Sequence, residues 1–372
     1  MIIIKDGNVF CKDNHFHKGS IAISEGIITD TVYSDAQIID AEGLYVIPGL
    51  TDIHFHGCAG HDFCEATTEA FRAITEYEAQ NGITTLCPAT MTLPENELMR
   101  IMRAARDFGK FAGIDLEGPF ISKNKKGAQN PDYIVRPSTG MFRRLQAESG
   151  GLIKIAVVAP EVDGAMEFIG EASKEVTVSL AHSACDYDTA LEAFRRGITH
   201  VTHLYNAMNG INHRAPGPIV AAVESEGVDV EIICDGVHVH PAVVRNTLRM
   251  FGDDRVIFIS DSMEATGRPD GEYSLGGQKV IKHGNRAELE DGTIAGSVTN
   301  LMDCMRTAVR DMNIPLETAV KCAAINPARA IGLDAAIKPG NSAKLAALDK
   351  NLNLVWVMNG TDIIHTEKIP LL

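Results

Sequence analysis

Eight short runs of apolar and β-branched residues recur along the chain after residue 44, and stretches with helical spacing separate them. The runs are Leu44–Asp52, Ile83–Ala89, Phe111–Leu116, Ile153–Ala159, Val176–Ala181, His200–Leu204, Val228–Cys234 and Val256–Ser260. Continuous apolar runs of this length are typical of strands buried on both faces of a parallel sheet. The spacing predicts crossover helices between them, for example over Thr67–Gln80, Glu95–Phe108 and Tyr187–Arg196. Eight strand–helix units predict an α/β fold with a closed, TIM-like (β/α)8 barrel, and an open doubly wound sheet is the weaker alternative.

The two ends of the chain have a different pattern, in which short strands alternate with turns. Residues 1–50 contain turn dipeptides such as Asp6-Gly7 and Glu25-Gly26, and the last strand-like runs flank Asn359-Gly360. We therefore predict that residues 1–50 and 335–372 pair into a small β-sandwich domain and that residues 51–334 form the barrel domain. Within the barrel domain, residues 270–295 are also strand-like, with a tight turn expected at Asp291-Gly292.

Residues with chemically active side chains follow six of the eight predicted strands. The active sites of (β/α)8 enzymes lie at the C-terminal ends of the strands, so these side chains are expected at one mouth of the barrel. In chain order they are Asp52, His54, His56, Glu117, His182, His203, Asp235, His238 and Asp261.

The histidines and Glu117 predict a metal site. Glu117, His182 and His203 form a set of two histidines and one glutamate, which suits a catalytic Zn²⁺ or a similar divalent ion. His54 and His56 are two residues apart, so on a strand both imidazoles point to the same side. Any one of these residues alone is more often an ordinary core or loop residue. Their shared position at strand ends favours the metal site.

Two further residues are candidates for catalysis beside this metal set. Asp261 is suited to accept a proton from an attacking water and to pass it to a leaving amine. The alternative for Asp261 is a helix N-cap, since aspartate is a preferred capping residue. His238 is suited to hydrogen-bond a substrate carbonyl as it becomes an oxyanion.

Composition excludes several classes of partner. The formal net charge of −15 argues against nucleic acid, which demands a basic face. No apolar run is long enough to span a bilayer, and the N-terminus lacks the pattern of a signal peptide. The eight cysteines contain no CxxC pair, which favours reduced thiols. We therefore expect a cytoplasmic protein with neither a nucleic-acid nor a membrane partner.

These motifs resemble the amidohydrolase superfamily and, within it, the enzymes that deacetylate hexosamine phosphates. The segment from Pro48 to His56, Pro-Gly-Leu-Thr-Asp-Ile-His-Phe-His, carries a superfamily-wide pattern. Segments 116–120, 203–208 and 294–297 are more particular to the deacetylases, and the resemblance extends from residue 48 to residue 333. Gln129 occupies a position where these enzymes often have histidine.

The resemblance implies a metal-dependent carbon–nitrogen hydrolase that converts N-acetylglucosamine 6-phosphate to glucosamine 6-phosphate and acetate, with N-acetylgalactosamine 6-phosphate as the alternative substrate. It implies one or two divalent ions, foremost Zn²⁺ with Fe as an alternative, held by Glu117, His182 and His203 and, for a second ion, by His54 and His56. It also implies Asp261 as the acid/base and a homodimer. The substrate-binding positions that it implies are Ala128, Asn206, Ala207, Arg214, Asp235, His238, Ile294, Ala295 and Gly296. A non-catalytic barrel used as a binding scaffold is disfavoured, because such a protein would be expected to have lost a ligand or Asp261.

Overall fold

A computed structural model describes residues 1–31 and 35–365 of the chain. The first strands are β1 (Ile2–Phe10), β2 (Phe16–Ser24), β3 (Ile27–Thr29), β4 (Gln37–Asp40) and β5 (Tyr45–Pro48). The barrel begins with β6 (Leu50–Asp52), which is followed by a two-stranded hairpin, β7 (Gly57–Cys58) and β8 (His61–Asp62). The other barrel strands are β9 (Ile83–Leu86), β10 (Ile114–Leu116), β11 (Ile153–Val158), β12 (Thr177–Leu180), β13 (Ile198–Val201), β14 (Asp229–Ile233) and β15 (Val256–Ile259). The last strands are β16 (Gly271–Leu275), β17 (Gln278–His283), β18 (Arg286–Glu288), β19 (Lys344–Leu348), β20 (Leu354–Asn359) and β21 (Asp362–His365).

Helices surround the barrel strands. They are α1 (Thr68–Gln80), α2 (Glu95–Phe108), α3 (Thr139–Glu148), α4 (Ala165–Ala172), α5 (Tyr187–Arg196), α6 (Gly217–Glu224), α7 (Pro241–Phe251), α8 (Leu301–Arg310), α9 (Leu316–Val320) and α10 (Asn326–Ala330). A π-helical turn over Lys321–Ile325 joins α9 to α10, and short 3-10 turns occur at Phe63–Glu65, Lys123–Lys125 and Pro131–Tyr133. Two of the three predicted helices have the predicted bounds, and the third, α1, begins after Thr67, whose side chain caps the helix by accepting from the Ala70 N–H. None of the helices in the described ranges has the length and apolar character needed to span a bilayer.

Backbone hydrogen bonds close the eight strands into a barrel. Strands β10 to β15 form a parallel sheet in sequence order, and β6 pairs in parallel with β9. A parallel bridge between Ala89 and Asp115 joins the segment after β9 to β10. At the other edge, the Asp261 N–H donates to the His54 carbonyl over 3.0 Å, which links the ends of β15 and β6. The predicted (β/α)8 barrel is confirmed.

One of the predicted runs contains two strands rather than one. The run Leu44–Asp52 is divided at Pro48-Gly49 into β5, which belongs to the terminal sheet, and β6, which belongs to the barrel. Glycine is required at this junction because a Cβ at Gly49 would lie 2.2 Å from Thr84 Oγ1. Each of the other seven runs contains one barrel strand, and only β13 begins before its predicted start.

The two chain ends pair into one sheet. Its strand order is β21-β20-β19-β5-β1-β2-β3, with β4 also pairing with β1. Strand β19 runs antiparallel to β5, which brings Ala346 opposite Ile47. A separate apolar core that includes Ile4, Leu345 and Trp356 lies within this region. On this basis we propose the division into a small domain, 1–50 and 335–372, and a barrel domain, 51–334; residues 366–372 lie outside the described residues.

A three-stranded antiparallel sheet, β16–β18, forms part of the region that the sequence predicted to be strand-like. The expected turn at Asp291-Gly292 is present, because the Gly292 N–H donates to the Leu289 carbonyl over 2.9 Å. Leu275 of this sheet packs in one apolar cluster with Met91, which follows β9. This sheet, which follows β15 in the chain, therefore lies beside the barrel mouth.

Two carboxyl groups are buried in or beside the wall of the barrel. Asp52 accepts a hydrogen bond from Ser260 Oγ, which ties the end of β6 to the end of β15. Glu78 lies on α1, and both side chains are fully buried. Burial disfavours the charged forms and raises the pKa of Asp52 to about 7. Burial, which has the larger effect, and the nearby charge of Asp52 together raise the pKa of Glu78 to about 8.

Replacing Glu78 by glutamine should change how stability depends on pH. The folded protein keeps the Glu78 proton until about pH 8, whereas an unfolded chain loses it near pH 4.5. Folding therefore binds a proton in this window, and the free energy of unfolding decreases as the pH rises through it. Over this interval, the free energy of unfolding of the wild-type protein should decrease by on the order of a few kcal/mol relative to that of Glu78→Gln. Urea denaturation at a series of pH values measures this difference. The control is Glu76→Gln, an exposed position of the same helix that should keep the wild-type pH dependence; parallel curves for wild type and Glu78→Gln would contradict the prediction.

Candidate active site and metal centre

The residues predicted for the site meet at one mouth of the barrel because each follows the end of a parallel strand. Glu117 follows β10, His182 follows β12, His203 follows β13 and Asp261 follows β15. His182, His203 and Asp261 all have backbone φ angles in the left-handed region, at 46°, 34° and 50°. Residues other than glycine seldom adopt this conformation, and it concentrates at functional sites. These sharp turns at the strand ends direct the three side chains into the mouth.

Glu117, His182 and His203 form a compact buried cluster. The Nε2 atoms of His182 and His203 each lie 3.0 Å from Glu117 Oε1 and 3.2 Å from one another. Burial opposes the charge of Glu117, but the neighbouring histidines outweigh it and hold the pKa of the carboxyl group well below its usual range. Glu117 is therefore in the ionised form that binds metals.

The hydrogen bonds around the histidines fix their tautomers. His182 Nδ1 lies 2.9 Å from the Lys125 carbonyl oxygen, an acceptor, so the proton of a neutral imidazole is on Nδ1. His54 Nδ1 lies 2.8 Å from Asp115 Oδ2 and has its proton there for the same reason. When both rings are neutral, their Nε2 lone pairs thus point into the cluster, and His54 Nε2 has no hydrogen-bond partner within the described ranges. Inward lone pairs oriented by outer partners fit a divalent cation.

His54 and His56 lie beside the first cluster. His54 Nε2 is 3.6 Å from Glu117 Oε1, and His56 Nε2 is 3.3 Å from Glu117 Oε2. Both rings also approach Asp261, with His56 Nε2 at 3.4 Å from Oδ1. His54, His56 and Asp261 therefore form a second group close enough to share one ion.

Asp261 faces the cavity between the histidines. Its burial favours the neutral acid, but a hydrogen bond with His56 and the charges of His54, His56 and His203 outweigh burial, so the pKa of Asp261 lies below its ordinary value. The carboxylate is thus ionised near neutral pH and able to accept a proton.

Asp235 holds His238 in a defined orientation. The Asp235 side chain accepts from the His238 backbone N–H over 2.9 Å and lies 2.7 Å from His238 Nδ1. Burial lowers the pKa of His238, but its hydrogen bond with Asp235 prevails and leaves the pKa above the usual value. His238 Nδ1 is therefore occupied, and Nε2 remains for a ligand in the cavity.

A cavity of about 370 Å³ opens above these residues. This volume lies in the range of sites for small molecules. Six of the predicted substrate-binding residues line it, namely Ala128, Asn206, Ala207, His238, Ile294 and Gly296. The other three lie elsewhere: Asp235 contacts His238, Ala295 is fully buried in the cluster with Leu275, and Arg214 is exposed on a loop.

Comparison with known proteins identifies the family. Residues 45–367 match the amidohydrolase family. The chain belongs to the amidohydrolase family. It is 30% identical to the N-acetylglucosamine-6-phosphate deacetylase of Bacillus subtilis strain 168, over 99% of this chain and 98% of that protein. It is also 30% identical to the N-acetylgalactosamine-6-phosphate deacetylase of Escherichia coli O157:H7, over 91% of this chain and 93% of that protein.

A solved structure has the same overall fold as this amidohydrolase. It is a mutant of the N-acetyl-D-glucosamine-6-phosphate deacetylase of Mycobacterium smegmatis in complex with N-acetyl-D-glucosamine-6-phosphate. The TM-score is 0.93 at 32% sequence identity, and the match covers 98% of this chain and 99% of that one. A match over nearly the whole of both chains includes the terminal sheet as well as the barrel.

Several residues of this amidohydrolase site were not predicted from the sequence. Met91, Leu275 and Thr293 line the cavity, and Gln129 donates a hydrogen bond to Glu117. Met91 follows β9, a strand without a histidine or carboxylate at its end, so the strand-end rule gave no signal for it. For Gln129, the only signal in the sequence was that the deacetylases it resembles often have histidine at this position.

Proposed function

We propose that this protein hydrolyses the acetamide of N-acetylglucosamine 6-phosphate and releases glucosamine 6-phosphate and acetate. The observation that carries the proposal is the convergence of Glu117, His182 and His203 beside the ionised Asp261, in a cavity of suitable size. The relatives named above act on acetylated hexosamine phosphates, and one of them holds such a phosphate in its structure.

The metal centre that we propose uses the two clusters at the mouth. Glu117, His182 and His203 would hold the first ion, and His54 and His56 would hold a second one with Asp261 nearby. A mixed nitrogen and oxygen ligand set suits Zn²⁺, with Fe as the alternative. When bound, a divalent ion supplies Lewis acidity, which polarises an amide carbonyl and makes water more acidic.

The side chains of this chain would carry out the proton transfers. Asp261 accepts a proton from the attacking water and then donates it to the nitrogen of the departing amine, so the carboxylate is regenerated in each turnover. His238, held by Asp235, donates from Nε2 to the carbonyl oxygen as negative charge develops on it. Its raised pKa favours the protonated ring that can donate from Nε2. The amide bond breaks as the amine takes up its proton.

Asp261→Asn should abolish acetate release while leaving the metal bound, because an amide cannot accept the proton but preserves the shape of the site. Acetate release from N-acetylglucosamine 6-phosphate and the metal content of the purified variant should be measured together. Asp132→Asn, at an exposed position of the loop after β10, is the matched control and should keep wild-type activity. Full activity of Asp261→Asn would remove Asp261 from the mechanism. A wild-type protein with bound metal and no acetate release would contradict the proposed reaction.

Recognition of the substrate is proposed to use the cavity wall and Arg214. Ala128, Asn206, Ala207, Ile294 and Gly296 surround the space above the cluster. The cavity has no lysine or arginine in its wall within the described part of the chain, so the phosphate needs a cation from outside the wall. We propose Arg214 for this role, since a guanidinium binds phosphate through paired hydrogen bonds.

Arg214→Ala should therefore raise KM for the phosphorylated substrate. The loss of charge-assisted hydrogen bonds to phosphate should lower kcat/KM by about 10- to 100-fold, mostly through KM. The same variant should hydrolyse unphosphorylated N-acetylglucosamine at the wild-type rate, which serves as the internal control. An unchanged KM for the phosphorylated substrate would mean that another group binds the phosphate.

N-acetylgalactosamine 6-phosphate is the second candidate substrate. The relative that deacetylates this compound is as similar to the chain, at 30% identity, as the Bacillus subtilis relative that deacetylates the glucosamine compound. The two sugars differ only in the configuration at C4, so kcat/KM measured for both with the wild-type protein decides between them.

We also propose that the protein is a cytoplasmic homodimer. All eight cysteines are unpaired thiols in the structure, as expected in a reducing compartment. The loop that carries Arg214 also exposes Ile211, whose accessibility is 52%. An exposed aliphatic side chain beside an exposed arginine supports contact with a second copy of the chain.

A further inference from the structure

Gln129 is buried beside the proposed metal centre, although it is not one of the proposed ligands. The residue is 3% exposed and ends a tight turn in which its N–H donates to the Lys126 carbonyl over 2.9 Å. Gly127 takes a φ of 54° in this turn, and a Cβ there would lie 3.2 Å from the His182 ring. The turn therefore fixes the Gln129 side chain against the cluster.

The partners of Gln129 determine which way its amide faces. Oε1 lies 2.7 Å from the backbone nitrogen of Thr92, which can only donate. Nε2 consequently faces the other way, where it donates to Glu117 Oε2 over 2.7 Å. It also lies 3.8 Å from Met91 Sδ. Because the carbonyl and amino ends both have protein partners, the amide of Gln129 is held in the wall of the site.

This hydrogen bond gives the two carboxylate oxygens of Glu117 different partners. Oε1 faces His182 Nε2 and His203 Nε2, each at 3.0 Å. Oε2 accepts from Gln129 and lies 3.3 Å from His56 Nε2. Rotation of the carboxylate away from the His182 and His203 pair would break the bond to Gln129.

We propose that Gln129 is a positioning residue that holds Glu117 Oε1 toward His182 and His203 and thereby strengthens metal binding at that cluster. The inference rests on the proposed metal-dependent function. It parallels the hydrogen bonds that His182 donates to the Lys125 carbonyl and that His54 donates to Asp115, since groups that orient metal ligands from outside typically strengthen binding. Glutamine suits the position because it accepts from Thr92 and donates to Glu117 at once.

The test is the affinity of the metal-free protein for Zn²⁺ alone, measured by competition with a chromophoric chelator. Gln129→Leu replaces the amide with an apolar side chain of similar bulk and removes both hydrogen bonds, so the Kd for Zn²⁺ at the Glu117 cluster should rise about 10- to 100-fold. Gln129→Asn keeps a polar amide that is too short to reach Thr92 and Glu117 together, and should show the same direction of change. The asparagine variant also keeps the test valid if the leucine variant fails to fold.

Gln146→Leu is the matched control. The amide of Gln146 also has a hydrogen-bond partner at each end, with Nε2 donating to the Ile153 carbonyl and Oε1 accepting from its N–H, each over 3.0 Å. Ile153 begins β11, at the end of the barrel opposite the site, so this variant should keep the wild-type Zn²⁺ affinity. Wild-type affinity in folded Gln129 variants, or an equal loss in Gln146→Leu, would overturn the proposal. If the wild-type protein itself bound no Zn²⁺, the proposed metal-dependent function would fail together with it.

Discussion

A buried carboxylate surrounded by imidazoles is the arrangement on which the rest of the structure depends. Glu117 is 2% exposed and has His54, His56, His182 and His203 around it. Burying an ionised group is costly unless opposite charge lies close to it. In this site the compensation comes from protons on the histidines or from a divalent cation. The inward Nε2 lone pairs of His54 and His182 favour the cation.

The fold supplies the rigidity that this arrangement needs. The ligands lie within four residues after the ends of β6, β10, β12 and β13, so their spacing is set mainly by the hydrogen bonds of the barrel rather than by flexible loops. The closing hydrogen bond between Asp261 and His54 joins the proposed acid/base to a proposed ligand through the backbone. Gln129 and Lys125, which lie in the loop after β10, then fix Glu117 and His182 from outside. Catalytic geometry and barrel closure thus depend on the same contacts.

Much of this organisation could be predicted because it follows from local periodicity. Buried parallel strands give apolar runs, and their ends give the positions of Glu117, His182, His203 and Asp261. The division of the first run at Gly49 was not predictable, because the reason is a close approach to Thr84, a contact that depends on how the strands pair. The same limit applies to the left-handed backbone at the strand ends and to the contact of Gln129 with Glu117, which arise only when the barrel is assembled. Sequence similarity suggested phosphate binding by Arg214, but it carried no information about the exposed position of that residue.

Anomalous diffraction can locate the metal directly. Crystals of the purified protein grown with Zn²⁺ should give an anomalous difference peak at the zinc absorption edge within about 2.0 to 2.2 Å of Glu117, His182 and His203. A second peak beside His54 and His56 would be consistent with two ions. An occupied zinc peak elsewhere, with the Glu117 cluster empty, would contradict metal binding by Glu117, His182 and His203.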